Sequence, residues 1–539
     1  MKQSKTNITL FILFLFLVSS YAYSGDNNGY RNEKEGNLLI GWSSVNITPE
    51  KPILIWGQRH ARISEGVLDP VTATVLAIES EDGFSSNKVI FVSCDLTAIL
   101  DGVREPDMYF TPGTENNLLN NVRNIVKKSI PDLNPGQIII NGTHTHTGPF
   151  YGSDESTKRI YGIELDVMSP ADVQRFISEK IASAIKKAWD NRKPGGISYG
   201  LGHAVVGHNR IAVNQSGKGI MYGNTNSPDF SHIEGSEDHS VNLLYTWDKS
   251  ANLTGVVVNL ACPAQVTEGL YKISADFWHE TRIELQNRLG KNIFVLPQCS
   301  AAGDQSPHIM IGLNAETRMQ KIMFPKCEGI GDQSMGLRKQ IALRISDAVT
   351  SVLPYMKDNI EWDPIIAHQT ESVNLTRRLI PEDDVKKALN ESESYFGKYQ
   401  ELLGEIKNNP SIKNKSRWYT EVSLAYSQTY RGLSVKERYE LQKIQPNLPI
   451  EIHVVRIGNA VFATNPFELY LDFGNRIKAR SSAVQTFLVQ LSGSGSYLPP
   501  LRSVTGDSYG AEPASTLVGP ESGQILVEKT LDLIYKIMN

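Results

Sequence analysis

Gln137-Ile138-Ile139-Ile140-Asn141-Gly142-Thr143-His144-Thr145-His146-Thr147-Gly148-Pro149 carries the reading of this chain. The isoleucine run is apolar and β-branched, the pattern of a buried strand. If the strand carries through the motif, its side chains alternate, so His144 and His146 share one face and the threonines the other. Gly148-Pro149 then ends the strand in a turn leading out of a sheet. Two imidazoles at a strand end can serve as a metal ligand beside a proton-handling or substrate-binding group. A His-X-His pair on a partly exposed strand is the structural alternative that spacing alone leaves open.

Outward from this motif, short apolar runs alternate with longer mixed segments. Val89 to Ser93, Val256 to Ala261, Ile293 to Pro297, Ile450 to Ile457 and Ala460 to Thr464 read as strands. Leu118 to Lys128, Ala171 to Trp189 and Ile525 to Ile537 read as amphipathic helices. This alternation predicts an α/β layered fold, with central mixed β-sheets flanked by helices. Residues 381–445 differ, being rich in Glu, Lys, Tyr and Leu with a break at Asn408-Asn409-Pro410. They read as a helical elaboration that mostly faces solvent.

Bulk properties exclude several function classes. With 539 residues, 40% of them hydrophobic and 21% charged, the chain has ample material for a core. A net charge of −4 provides no basic surface for nucleic acid. No heptad run, glycine-rich phosphate loop or internal repeat stands out. Lys2 and Lys5 precede the apolar run Ile8 to Val18 and the small, polar Ser19-Ser20-Tyr21-Ala22. This is the pattern of a signal peptide over 1–24. Residues 25–37 read as a disordered leader, and 38–539 as the exported domain, periplasmic or secreted, with no transmembrane segment in the mature chain. Four cysteines, Cys94, Cys262, Cys299 and Cys327, make neither a disulfide scaffold nor a CxxC zinc knuckle.

Several strand ends and loops carry polar groups. Gly207-His208-Asn209-Arg210 places an arginine after a turn, and Ala261-Cys262-Pro263 ends a buried strand on a thiol. Gln298 to Pro307 is a small-residue loop containing Ser306. Asn465-Pro466-Phe467-Glu468 sets a carboxylate just after a strand, and Tyr497 and Tyr509 flank a loop. With the two histidines these form the inventory of a zinc site and its substrate groups.

The set resembles the neutral/alkaline non-lysosomal ceramidases, zinc amidases of sphingolipid metabolism that cleave the N-acyl bond of ceramide. The similarity runs in order through Gly41 to Pro49, Ser93-Cys94-Asp95-Leu96, the His144 to Pro149 signature and Tyr509 to Pro520. It implies that His144, Glu468 and Tyr497 are zinc ligands, with Tyr497 and the substrate-side Tyr509 at the family's spacing. It also implies catalytic roles for His146, Arg210 and Tyr509, and a substrate-binding role for Ser306.

The chain departs from that pattern at the second histidine ligand, where Ala261-Cys262-Pro263 stands. The Cys262 thiolate is expected to complete the site, with His279 in its place as the second reading and a lost metal site as the third. The resemblance does not extend to the C-terminal β-sandwich domain carried by ceramidases of this family, and the helical elaboration has no placed counterpart. The implied activity is a zinc-dependent exported amidohydrolase acting on a small-molecule or lipid substrate. Two alternatives stand beside it: the same site cleaving a glycosidic or ester bond of a glycan, and a catalytically inactive binding protein.

Overall fold

The computed structural model describes residues 37–81, 86–102 and 116–539. The expected signal segment and nearly all of the leader lie outside these residues. The first group of elements is an antiparallel run of β1 (Leu38–Asn46), β2 (Thr72–Glu81) and β3 (Ser86–Cys94). Helix α1 (Leu118–Ser129) then leads to β4 (Ile138–Gly142), which lies parallel to β3, and α2 (Pro170–Asp190) follows. Asn117 and Ser169 cap these helices by accepting hydrogen bonds from Asn120 and Asp172 N–H, and Pro170 opens α2 where no donor is needed.

The same order recurs twice. Antiparallel β5 (Lys193–His203), β6 (Ser240–Asp248) and β7 (Leu253–Leu260) are followed by α3 (Phe277–Leu289), β8 (Phe294–Cys299) parallel to β7, and α4 (Met335–Lys357). The third group begins with β9 (Ile366–Thr376) and carries an inserted pair of helices, α5 (Glu382–Asn408) and α6 (Thr420–Ile444). It resumes with β10 (Asn447–Ile457) and β11 (Ala460–Thr464), then α7 (Leu471–Arg480), β12 (Gln485–Val489) parallel to β11, and α8 (Glu521–Met538). A threefold repeat of topology is therefore present where the sequence shows none. The connections after the first strand of each group, residues 47–71, 204–239 and 377–446, differ so much in length that no fixed period survives.

The first two groups join in one sheet of order β8-β7-β6-β5-β1-β2-β3-β4. Their strands pair where Leu39 faces Pro194 and Ile40 faces Lys193. The third group forms its own sheet, β9-β10-β11-β12. Alternation along the strands explains the layers. Val89 and Phe91 of β3 point into a cluster shared with Ile139, Leu244, Val257, Leu296, Phe462 and Phe487, which draws on all three groups. Phe462 stacks on Phe487 at 4.2 Å between ring centroids and lies 4.9 Å from Phe91.

The intervening residues Ile90 and Val92 face outward onto Val122, Val126, Ile177 and Ile181 of α1 and α2. Val256 and Val258 face Leu337 and Ile341 of α4 in the same way, and Ile452 and Val454 face Leu526 and Ile534 of α8. Both faces of each sheet are covered, which is why the strands read as continuous apolar runs. The predicted mixed α/β architecture is the one observed. Among the described residues no helix is long and apolar enough to cross a membrane.

Candidate active site

Each parallel pair ends at the same place. Thr143 N–H donates to Cys94 O, and Gly142 N–H to Leu491 O, tying the end of β4 to those of β3 and β12. Ala264 N–H donates to Thr143 O, bringing in the chain beyond β7, and Gln490 N–H donates to Cys299 O at the end of β8. Glu468, just after β11, pairs in parallel register with Tyr497. The carboxyl ends of parallel strands are a common place for ligand sites in open α/β sheets. Here three such pairs supply the walls.

The strand does not carry through the histidine motif. It ends at Gly142, and His144 takes a left-handed backbone conformation with φ of 63°. For a non-glycine residue this costs roughly 1–3 kcal/mol and persists only where surrounding structure enforces it. The loop nevertheless brings the two rings together, with centroids 4.9 Å apart at 67°. Gly57, at φ of 115°, is required beneath them, because a Cβ there would lie 2.4 Å from His146 Cβ.

His144 is fixed from behind by a 2.6 Å contact between Nδ1 and Thr97 O. A carbonyl only accepts, so Nδ1 carries a proton, and Nε2 is the nitrogen left to bind a proton or a metal cation. That nitrogen lies 3.2 Å from Glu468 Oε2. A lone pair and a carboxylate oxygen at this distance repel unless a proton or a metal cation lies between them. Burial opposes the charge on Glu468, but the His144 ring and the Arg210 guanidinium hold its pKa down to about 2. Tyr497 hydrogen-bonds Glu468 and accepts from Arg210 Nη2 at 3.1 Å. Burial and the Glu468 charge keep its phenol protonated, and a bound cation would reverse that balance.

Among the described residues no three His, Cys, Asp or Glu side chains group closely enough to hold a metal. The third donor at this point is the Tyr497 oxygen. One imidazole nitrogen, one carboxylate and one phenolic oxygen fit zinc in a three-ligand site with an open position.

His146 faces a second polar cluster. Its Nδ1 lies 3.0 Å from Glu268 Oε2, and Nε2 lies 2.8 Å from Gln265 Nε2. With Nδ1–H donated to Glu268, Nε2 accepts from the amide, so both ring nitrogens are engaged. Burial lowers the His146 pKa, which favours this neutral ring. Glu268 Oε1 in turn lies 3.6 Å from His308 Nε2, and His308 Nδ1 lies 3.1 Å from Asp332 Oδ2. Burial opposes charge on both partners. Hydrogen bonding to His146 and the neighbouring His308 hold Glu268 well below the usual carboxylate range. The bond to Asp332, with Glu268 alongside, pushes His308 up to about 9.

Other predicted residues are placed differently from expectation. The Cys262 thiol is directed to the carbonyls of Val206 and Pro263, at 3.7 and 3.4 Å, inside the apolar cluster of the second group. It does not line the cavity, and burial raises its pKa well above the ordinary thiol value. His279 lies in α3 among the charges of Asp69, Arg338, Arg282 and Asp95. The structure brings neither residue to the pair His144–Glu468; the turn at Pro263 sends Gln265 towards the histidines instead. All four cysteines are free. Arg210 is buried, donating to Gly303 O at 2.9 Å as well as to Tyr497, so it sits behind the site. Ser306 is also buried, 3.1 Å from Tyr222 OH.

Tyr509 lines the cavity with its ring 5.9 Å from that of Tyr497. The cavity encloses about 190 Å³ and brings together His144, His146, Glu468, Tyr497 and Tyr509. The inserted helix α6 contributes Ser427, Arg431 and Arg438 to its wall, so the segment predicted to be mostly solvent-facing reaches the site. Gln265 and Glu268 were findable, since both follow Cys262-Pro263 closely in polar positions beside an apolar strand end. Arg431 left no local sign, being one charge on a helix rich in them.

No protein-family model matches this sequence, and no curated protein does. Solved structures similar in fold include two ceramidases. One is the neutral ceramidase from Pseudomonas aeruginosa, with a TM-score of 0.61 at 15% identity, covering 93% of this chain and 75% of that one. The other is a ceramidase complexed with C2, with a TM-score of 0.60 at 16% identity, covering 92% of this chain and 75% of that one. The fold is thus ceramidase-like, as the motif order implied.

Proposed function

We propose that the protein is an exported, zinc-dependent hydrolase of the neutral ceramidase type that cleaves an amide bond. The observation that carries this reading is the 3.2 Å approach of His144 Nε2 and Glu468 Oε2 beside Tyr497, each held from behind. His144, Glu468 and Tyr497 are the residues that hold the metal. Bound there, zinc supplies a water activated near neutral pH and polarises the substrate carbonyl.

The Thr97 carbonyl keeps His144 in its ligating tautomer, and Arg210 orders Tyr497 without touching substrate. His146, oriented by Glu268, is the group to take a proton from the attacking water at Nε2, once Gln265 releases that nitrogen, and to pass it to the leaving amine. Tyr509 stands on the cavity wall as a hydrogen-bond donor for the oxyanion. Export rests on the N-terminal segment Lys2 to Ala22.

The test is metal content and hydrolysis of N-acyl substrates by the parent, His144→Ala and Glu468→Ala. Stoichiometric zinc and amide cleavage in the parent, both lost in the variants, are expected. Full cleavage by a zinc-free His144→Ala protein overturns the reading.

A further inference from the structure

We propose that the cavity carries a built oxyanion subsite, so that the N-acyl substrate is acidic, bearing a carboxylate or sulfonate held by Arg59 and Arg431. The proposal rests on the hydrolase reading for the bond cleaved and names the substrate class of that site. Three guanidinium groups, of Arg59, Arg431 and Arg438, line the cavity, and among its described lining residues Glu468 is the single carboxylate. Glu468 is engaged by His144, Tyr497 and Arg210 and is not available to the arginines of the opposite wall.

Arg431 donates to Glu512 Oε2 at 2.5 Å and to Ser515 Oγ at 2.8 Å. Arg59 donates to Gln428 Oε1 at 3.3 Å, hydrogen-bonds Tyr509 and packs over the Tyr509 ring, 5.9 Å from its centroid. Its contacts are neutral groups, and no ion pair joins it to a carboxylate among the described residues. Arg59 and Arg431 repel one another, and Glu512 is the carboxylate whose field reaches both. Two partly buried guanidiniums, Arg59 and Arg431, that share the field of one carboxylate are unfavourable. A planar oxyanion accepting two parallel N–H bonds is the group that guanidinium geometry matches.

The wall is assembled from three separate insertions: the loop after β1 brings Arg59, helix α6 brings Arg431, and the segment beyond Tyr497 brings Tyr509 and Ser515. A second cavity of about 740 Å³ shares Arg59, Arg431 and Tyr509 with the first and gives the substrate room to continue outward. A neutral amide brings no charge to set against these guanidiniums.

The experiment compares an N-acylglycine, an N-acyltaurine and an N-acylethanolamine with the same acyl chain, which differ in the presence and kind of anion. Affinity is measured by calorimetry on His144→Ala, where nothing is turned over, and kcat/KM on the parent. Expected is binding of both acids roughly 10- to 100-fold tighter than the ethanolamide. In the His144→Ala background, Arg59→Gln should reduce that ratio by a similar factor, with Arg59→Lys intermediate; circular dichroism melts verify folding. Equal affinity for acid and ethanolamide, or a ratio unmoved by Arg59→Gln, overturns the subsite. Tight, Arg59-dependent binding with no cleavage of any substrate by the parent supports the subsite and overturns the amidase reading instead.

Discussion

Replacing His308 with glutamine should change how stability depends on pH, by an amount the structure sets. His308 is 3% exposed and lies between Asp332 at 3.1 Å and Glu268 at 3.6 Å. Despite the penalty of burial, these carboxylates raise its pKa from 6.5 to about 9. A folded-state pKa above the unfolded value means that the native state binds the proton more tightly. The stabilisation is complete below about pH 6.5 and is lost as pH rises through about 9. A rise of that size corresponds to about 3 kcal/mol, and so little solvent reaches the group that screening removes little of it.

Glutamine does not titrate, so urea unfolding of both proteins near pH 6 and near pH 9.5 isolates the contribution. The stability difference between parent and His308→Gln should shrink by about 3 kcal/mol between those conditions. An equal difference at both pH values would refute the ion pairs of His308 with Asp332 and Glu268.

Further outcomes follow from single contacts. Gly57→Ala combines a φ of 115° with a Cβ driven into His146, so a loss of at least about 1–3 kcal/mol and reduced turnover are expected in thermal unfolding and amidase assays. Cys262→Ala should retain the parent's zinc stoichiometry in metal analysis; loss of zinc would show that the thiol is a ligand after all. Phe462→Ala removes a ring packed on Phe487 and Phe91, where the three groups meet, and should destabilise by about 3–5 kcal/mol in urea unfolding. A smaller effect would mean that the central cluster collapses readily around the void.

Much of the fold was legible because burial on both faces leaves its mark residue by residue. Val89 to Val92, Ile138 to Ile140 and Val256 to Val258 could be recognised as strands without knowing their neighbours. β5 was harder: Gly195, Gly196, Gly200 and Gly202 lie close against Trp247, Trp362, Met356 and Ala348, and glycine carries no hydrophobic period. The topological repeat was hidden by insertions of unequal length. At the site, His144, Glu468 and Tyr497 were picked out through the order of motifs shared with ceramidases, whereas Arg59 and Arg431 converge from insertions far apart in the chain.

What the sequence determined by itself is the set of elements and the chemical types at their ends: apolar strands, helices to cover them, and imidazole, carboxylate and phenol donors just beyond. These are local properties, written in the period and identity of neighbouring residues. Tertiary structure decided which donors meet. Whether Cys262 or Gln265 turns towards His146 depends on the turn at Pro263, and whether a helical insertion faces solvent or a cavity depends on where its ends are anchored. Those directions are set by closure of three groups of strands on one core, and that closure is a property of contacts between residues hundreds of positions apart.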